Sequence, residues 1–120
     1  MTSEHNFADM AVRHLGGLKT SALGFGCMGL SQGYGPVDDA ESIAAIHAAL
    51  DSGITMFDTA MSYGQGHNEE LVGRAVASSG VPREQIQIAT KFGIMRRDDG
   101  VGLDAHPGRI ATYCDDSLRR

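Results

Sequence analysis

The chain has 120 residues, 42% of them hydrophobic, and its 10 basic and 15 acidic side chains leave a net charge of −5 at pH 7. That length suits one domain with one core, and no apolar run approaches the roughly 20 residues of a membrane-spanning helix. The basic residues are scattered apart from short Arg pairs, which argues against nucleic acid as a partner. Two widely separated cysteines, Cys27 and Cys114, point to a reduced, cytoplasmic protein.

Residues 1–11 hold two acids and no apolar secretion core, so they read as a flexible, solvated extension ahead of a domain over 12–120. In "VRHLGGLKTSALG" two short runs flank Gly16 and Gly17, a hairpin signal. The second run leads through "GFGCMG" into a long glycine-rich loop. "DDAESIAAIHAALDSG" predicts a helix. Asp38 is placed to cap it, Glu41 completes a capping-box pattern, and Ile43, Ile46 and Leu50 recur at helical spacing. Gly53 sits where a C-terminal cap belongs. "ITMF", residues 54–57, reads as a buried strand, and "DTAMSYGQGH" as the loop after it.

A second helix is expected over "NEELVGRAVASSG". Asn68 is its candidate cap, two glutamates occupy its first turn, and Leu71, Val72, Ala75 and Val76 form its apolar face. "REQIQIATK" predicts a third strand ending at Thr90 and Lys91. The segment containing Arg96, Arg97, Asp98 and Asp99 reads as a solvated loop. Pro107 can open a third helix with Ile110, Tyr113, Cys114 and Leu118 on one face. Strands alternating with helices in units of about 30 residues imply an α/β domain with a parallel sheet and right-handed crossovers. The third helix is still running at "SLRR", with no stop signal, and the chain reads as cut there.

"GFGCMG" matches the glycine spacing of a dinucleotide-binding turn, but that turn must open a helix and be followed about 20 residues later by an acid. Here "LSQGYGP" follows and position 49 is alanine. The glycines therefore read as a tight bend or a close backbone approach to a flat ligand. A different constellation carries the chemistry. Asp58 follows "ITMF" and Lys91 closes "IQIATK", so both fall at the carboxyl ends of parallel strands, where α/β domains bind ligands. Tyr63 lies in the loop between them. Singly, each has a structural explanation: a loop cap, a packed ring, a solvated ammonium. Jointly they converge on one face as a candidate site. A free tyrosine is a poor acid at neutral pH. A lysine ammonium beside it stabilises the phenolate, and a carboxylate behind the lysine keeps that ammonium charged and oriented. The wiring makes Tyr63 a general acid for a developing alkoxide.

The stretches "ALGFGCMGLS", "GITMFDTAMSYGQGHNEELVGRAV", "IATKFGI" and "SLRR" resemble the aldo-keto reductases. The resemblance runs from about Val12 to the last residue. It implies an N-terminal hairpin and the first three βα units of a (β/α)₈ barrel, and NADPH-dependent reduction of aldehydes and ketones. Asp58, Tyr63 and Lys91 match three positions of the family's catalytic tetrad, with Tyr63 as proton donor. Gly26, Cys27 and Met28, together with Asp58, match the nicotinamide end of the NADP(H) site. The family's fourth catalytic residue, a histidine ending the fourth strand, falls beyond this chain, as do the loops that hold the cofactor phosphates. His67 follows the Tyr63 loop and His106 precedes a helix, and neither ends a strand, so neither takes that role; the five histidines show no metal-ligand spacing. The alternative reading is an inert fragment that at most self-associates, or binds a partner, through an open sheet edge.

Overall fold

Gly16 adopts φ +62°, a left-handed turn that lets Val12–Leu15 (β1) fold back on Leu18–Ser21 (β2) as an antiparallel hairpin. The computed structural model describes residues 9–33, 35 and 37–120. The extension expected over 1–11 thus lies mostly outside the described residues. Gly24–Gly26 (β3) leads into a single 3₁₀ turn, Met28–Leu30.

Asp39–Asp51 forms α1 as its sequence dictates. The Asp38 carboxylate accepts from the Ala40 N–H at 3.0 Å, satisfying one of the orphan donors of the first turn. Glu41 is exposed and makes no reciprocal bond, so the capping box is only half built. At the other end Gly53 takes φ +93°, and the Gly53 and Ile54 N–H groups donate back to Leu50 and Ala49. That is a Schellman closure. It consumes Ile54, so the strand expected at 54–57 is shifted to Met56–Asp58 (β4).

His67–Ala77 forms α2, whose Leu71, Val72, Ala75 and Val76 are all buried as expected. Asn68 is not its cap. Gly66, at φ +95°, precedes the helix, and Asn68 lies inside the first turn with no solvent exposure. The predicted strand over 83–91 is also shorter than expected. Pro82 starts a 3₁₀ turn, Arg83–Gln85, in which the Pro82 and Arg83 carbonyls take the N–H groups of Gln85 and Ile86, leaving Gln87–Ala89 as β5. The loop expected around Arg96 to Asp99 is instead a second antiparallel hairpin, Ile94–Arg97 (β6) with Gly100–Leu103 (β7). Asp98 and Asp99 form its two-residue turn, and Gly100 supplies φ +135°. Pro107 opens a 3₁₀ turn that runs into Ile110–Arg119 (α3).

Strands β3, β4 and β5 pair in parallel in that order, with Gly26, Asp58 and Ala89 side by side at their carboxyl ends. The α/β alternation is thus observed, in a three-stranded sheet that does not close. Its core joins Phe57 and Ile86 to Ile46 and Leu50 of α1 and to Val72 and Val76 of α2. His47 fastens the two helices by donating from Nε2 to the Ala75 carbonyl at 2.8 Å. Helix α3 contributes no buried residue; Leu118 is 79% exposed, and its apolar face looks over a groove of about 750 Å³ bordered by α2 and β5. Among the described residues no helix is long and apolar enough to cross a membrane.

Candidate functional site

Asp58 is the last residue of β4, and Lys91 stands two residues beyond β5. The β4–β5 pairing continues past the strands, since the Thr59 N–H donates to Ala89 and the Met61 N–H to Lys91. Both side chains therefore emerge at the same end of the sheet. The Lys91 ammonium donates to Asp58 Oδ2 at 2.9 Å, to the Thr59 carbonyl at 2.7 Å and to Tyr63 Oη at 3.4 Å. It also lies 5.1 Å from the centre of the Tyr63 ring. The structure brings together the three residues that the sequence singles out.

Tyr63 reaches this point through an unusual backbone. Gly64, Gln65 and Gly66 have φ of +61°, +55° and +95°, three consecutive left-handed residues that turn the chain into α2. A Cβ at position 64 would press on Ser31 and His67 at 3.2 and 3.1 Å, so glycine is needed there for room as well as for φ. The Gly64 N–H is further held by Gln32 Oε1 at 3.1 Å.

Burial works against the Lys91 charge, but hydrogen bonds to Asp58 and Tyr63 outweigh it and hold the lysine pKa above its ordinary value. The ion pair is about half exposed on both sides, 51% for Lys91 and 48% for Asp58. As a stability element such a pair is worth about 1 kcal/mol at most. Its value is geometric: it fixes the ammonium under the phenol.

Of the remaining residues assigned to a cofactor face, Gly26 is exposed and a Cβ there would meet nothing within 4 Å. Met28 is half-buried at the start of the 3₁₀ turn. Cys27 faces the other way. Its side chain is wholly buried in the core, and burial first, then the Asp58 charge, pushes its thiol up to about 12. The Cys27 N–H donates to the Asp58 carbonyl and its own carbonyl accepts from Asn68, so its role toward any ligand is confined to shaping the backbone.

Sequence reading missed the support beneath these residues. Thr59 Oγ1 donates to Asn68 Oδ1 at 2.6 Å, and Asn68 Nδ2 donates to the Cys27 carbonyl at 2.7 Å and to Ser31 Oγ at 2.8 Å. Ser31 in turn meets His67 Nδ1 at 2.7 Å, and His67 Nε2 meets Asp39 at 2.9 Å. Glu69, also read as a first-turn dipole residue, is turned inward, accepting from Thr90 Oγ1 and Arg120 at 2.8 Å each. The signal available was a polar run, "HNEE", at the start of an apolar helix face, which a cap explains equally well.

Similarity to known proteins extends over most of the chain. The Aldo/keto reductase family model matches residues 22–120. Probable aldo-keto reductase 1 of Glycine max is 44% identical over 106 residues, which cover 87% of this chain and 30% of the relative. Among solved structures, an aldo-keto reductase of Bacillus halodurans in its holo form superposes with a TM-score of 0.76 at 37% identity, covering 92% of this chain and 36% of that one. A glycerol dehydrogenase of Gluconobacter oxydans gives 0.71 at 33% identity, covering 92% and 34%. The chain thus spans about a third of the length of these relatives, and over that span it belongs to the aldo/keto reductase family.

Proposed function

We propose that this chain supplies the N-terminal hairpin and first three βα units of a (β/α)₈ barrel, in a cytoplasmic oxidoreductase that reduces aldehydes or ketones with NADPH. The observation that carries the reading is the Lys91 ammonium, donating at once to Asp58, to the Thr59 carbonyl and to Tyr63 Oη. Because Lys91 donates to the phenol oxygen, the phenol's own hydrogen is free to point outward toward a substrate.

A nicotinamide fits the residues present at one end only. The open backbone at Gly26 would leave room for a flat ring beside the strand that carries Asp58, with Met28 next along the loop as the other residue that would hold it. When bound, the cofactor supplies the hydride that reaches the carbonyl carbon. Tyr63 holds the substrate oxygen by a hydrogen bond and transfers its proton as charge develops there, leaving a phenolate. Lys91 neutralises that phenolate, Asp58 keeps Lys91 charged and aimed, and solvent returns the proton to Tyr63. The elements that grip the cofactor phosphates, and the family's catalytic histidine, belong to the parts of the barrel beyond this chain.

The test is NADPH oxidation with a panel of aldehydes and ketones, run on the full-length parent carrying this segment and on the 120-residue chain. Carbonyl-dependent turnover by the parent, and none by the 120-residue chain, is the expected outcome. A parent that turns over no carbonyl with either nicotinamide cofactor would overturn the reading.

A further inference from the structure

The inference concerns Asn68 and rests on the function proposed above. Asn68 has no solvent exposure, yet it lies within a core-facing helix turn. A buried primary amide is costly unless its hydrogen-bonding groups are used. Here the amide oxygen accepts one bond and both amide hydrogens are donated. The three partners do not belong to α2. Thr59 follows β4, Cys27 follows β3, and Ser31 follows the 3₁₀ turn, 9 to 41 residues away in sequence. One side chain thereby sets the spacing between the two strand ends that carry Gly26 and Asp58.

The connection to the proton donor is one residue long. Thr59 is held from three directions: its N–H by Ala89, its hydroxyl by Asn68, and its carbonyl by the Lys91 ammonium at 2.7 Å. If the Thr59 hydroxyl is released, its carbonyl is free to rotate away from Lys91. The ammonium then keeps only Asp58 and the long, 3.4 Å bond to Tyr63. Displacements of about 1 Å at a reacting centre cost as much as 10²-fold in rate.

We propose that Asn68 is a positioning residue for proton transfer, acting through Thr59 on the Lys91–Tyr63 pair. It touches neither substrate nor cofactor. Any residue that merely stabilised the fold would lower the melting temperature and leave the active-site titration alone.

The experiment uses the full-length parent and three variants. Asn68→Ala removes the whole junction, and Thr59→Val removes only the Thr59–Asn68 bond at nearly constant volume. Both should lower kcat at least tenfold with KM changed less than threefold. Both should also displace the alkaline limb of the kcat profile from the parent's, because the ammonium that faces the phenol has lost one of the acceptors that hold it in place. Tyr63→Phe is the third arm. If it stays active, the proposed function falls whatever Asn68 does. If it is dead while the folded Asn68 and Thr59 variants keep kcat within twofold and an unmoved pH profile, only the present inference falls. Should Asn68→Ala not fold, Thr59→Val decides alone; should neither fold, the junction is a folding element and the inference is wrong.

Discussion

All three donors of the Lys91 ammonium are committed, two of them to Asp58 and Tyr63, so either end of that arrangement can be removed singly. In the parent, Tyr63→Phe should leave cofactor affinity nearly intact, by fluorescence titration, and lower carbonyl reduction about 10²–10⁴-fold, the usual worth of general acid catalysis. Reduction within a few-fold of the parent would remove Tyr63 from the role of acid. Lys91→Met should be comparably damaging, because the phenolate left by proton transfer loses its counter-charge. The lysine's raised pKa means that its contribution is fully present below pH 10.5 and is lost only as pH climbs through the folded value, so Lys91 keeps its charge near neutrality. Cys27 behaves similarly for a different reason. Between pH 9 and about 12 an unfolded chain releases a thiol proton that the fold retains, so stability should fall with rising pH. At pH 8, alkylation should mark exposed Cys114 and spare Cys27; equal labelling would mean that the core around Cys27 opens readily. Asp58 and Lys91 were legible because apolar runs place each within two residues of a strand's carboxyl end, with Tyr63 in the loop between them, even though the strand bounds themselves were misread. Asn68 was not, since an asparagine before an apolar helix face serves equally as a cap or as a buried junction, and only the folded partners distinguish the two.

Helix α1 was readable end to end because each of its signals is local: an acid one residue before the helix, apolar residues at helical spacing, and a glycine at C′. Asp38→Ala should therefore cost about 1 kcal/mol, the ordinary worth of an N-cap, seen as a lower denaturant midpoint with an unchanged slope. No change in midpoint would mean that water serves the Ala40 N–H as well as the carboxylate does. Elements whose signals are not local were misread. Strand β5 begins late because Pro82 leads into a 3₁₀ turn over the three polar residues Arg83–Gln85, and the apolar alternation starts only at Ile86. The β6–β7 hairpin escaped notice because "IMRR" has no apolar alternation, while "GVGL" alternates over only two apolar residues set among glycines, and β7 is exposed along its whole length. A hairpin with so little face to bury leaves a weak period in the sequence.

At the scale of the whole molecule the exposed apolar surface is the dominant feature. Among the described residues β5 pairs with β4 on one edge and with no strand on the other, and β3 likewise pairs on one side only. Ile110 and Leu118 of α3 stand 42 and 79% exposed beside the groove of about 750 Å³. On the partial-barrel reading proposed above, that edge and the sheet's inner face await side chains from further strands, because a barrel interior is filled from every strand. An open parallel edge beside apolar surface invites pairing with another chain. The 120-residue chain on its own should therefore be marginally stable and oligomeric or aggregated, and should bind NADPH no more tightly than millimolar, because on the function proposed above only the nicotinamide end of the cofactor site falls within it. Sedimentation velocity, hydrogen exchange and calorimetry on the purified chain test this together. A monomer that unfolds in one sharp transition, with protected amides in β3, β4 and β5, would show that three strands and the helices α1 and α2 suffice as a folding unit. Submillimolar NADPH binding by that monomer would show in addition that the surface around Gly26 grips the cofactor without any phosphate clamp.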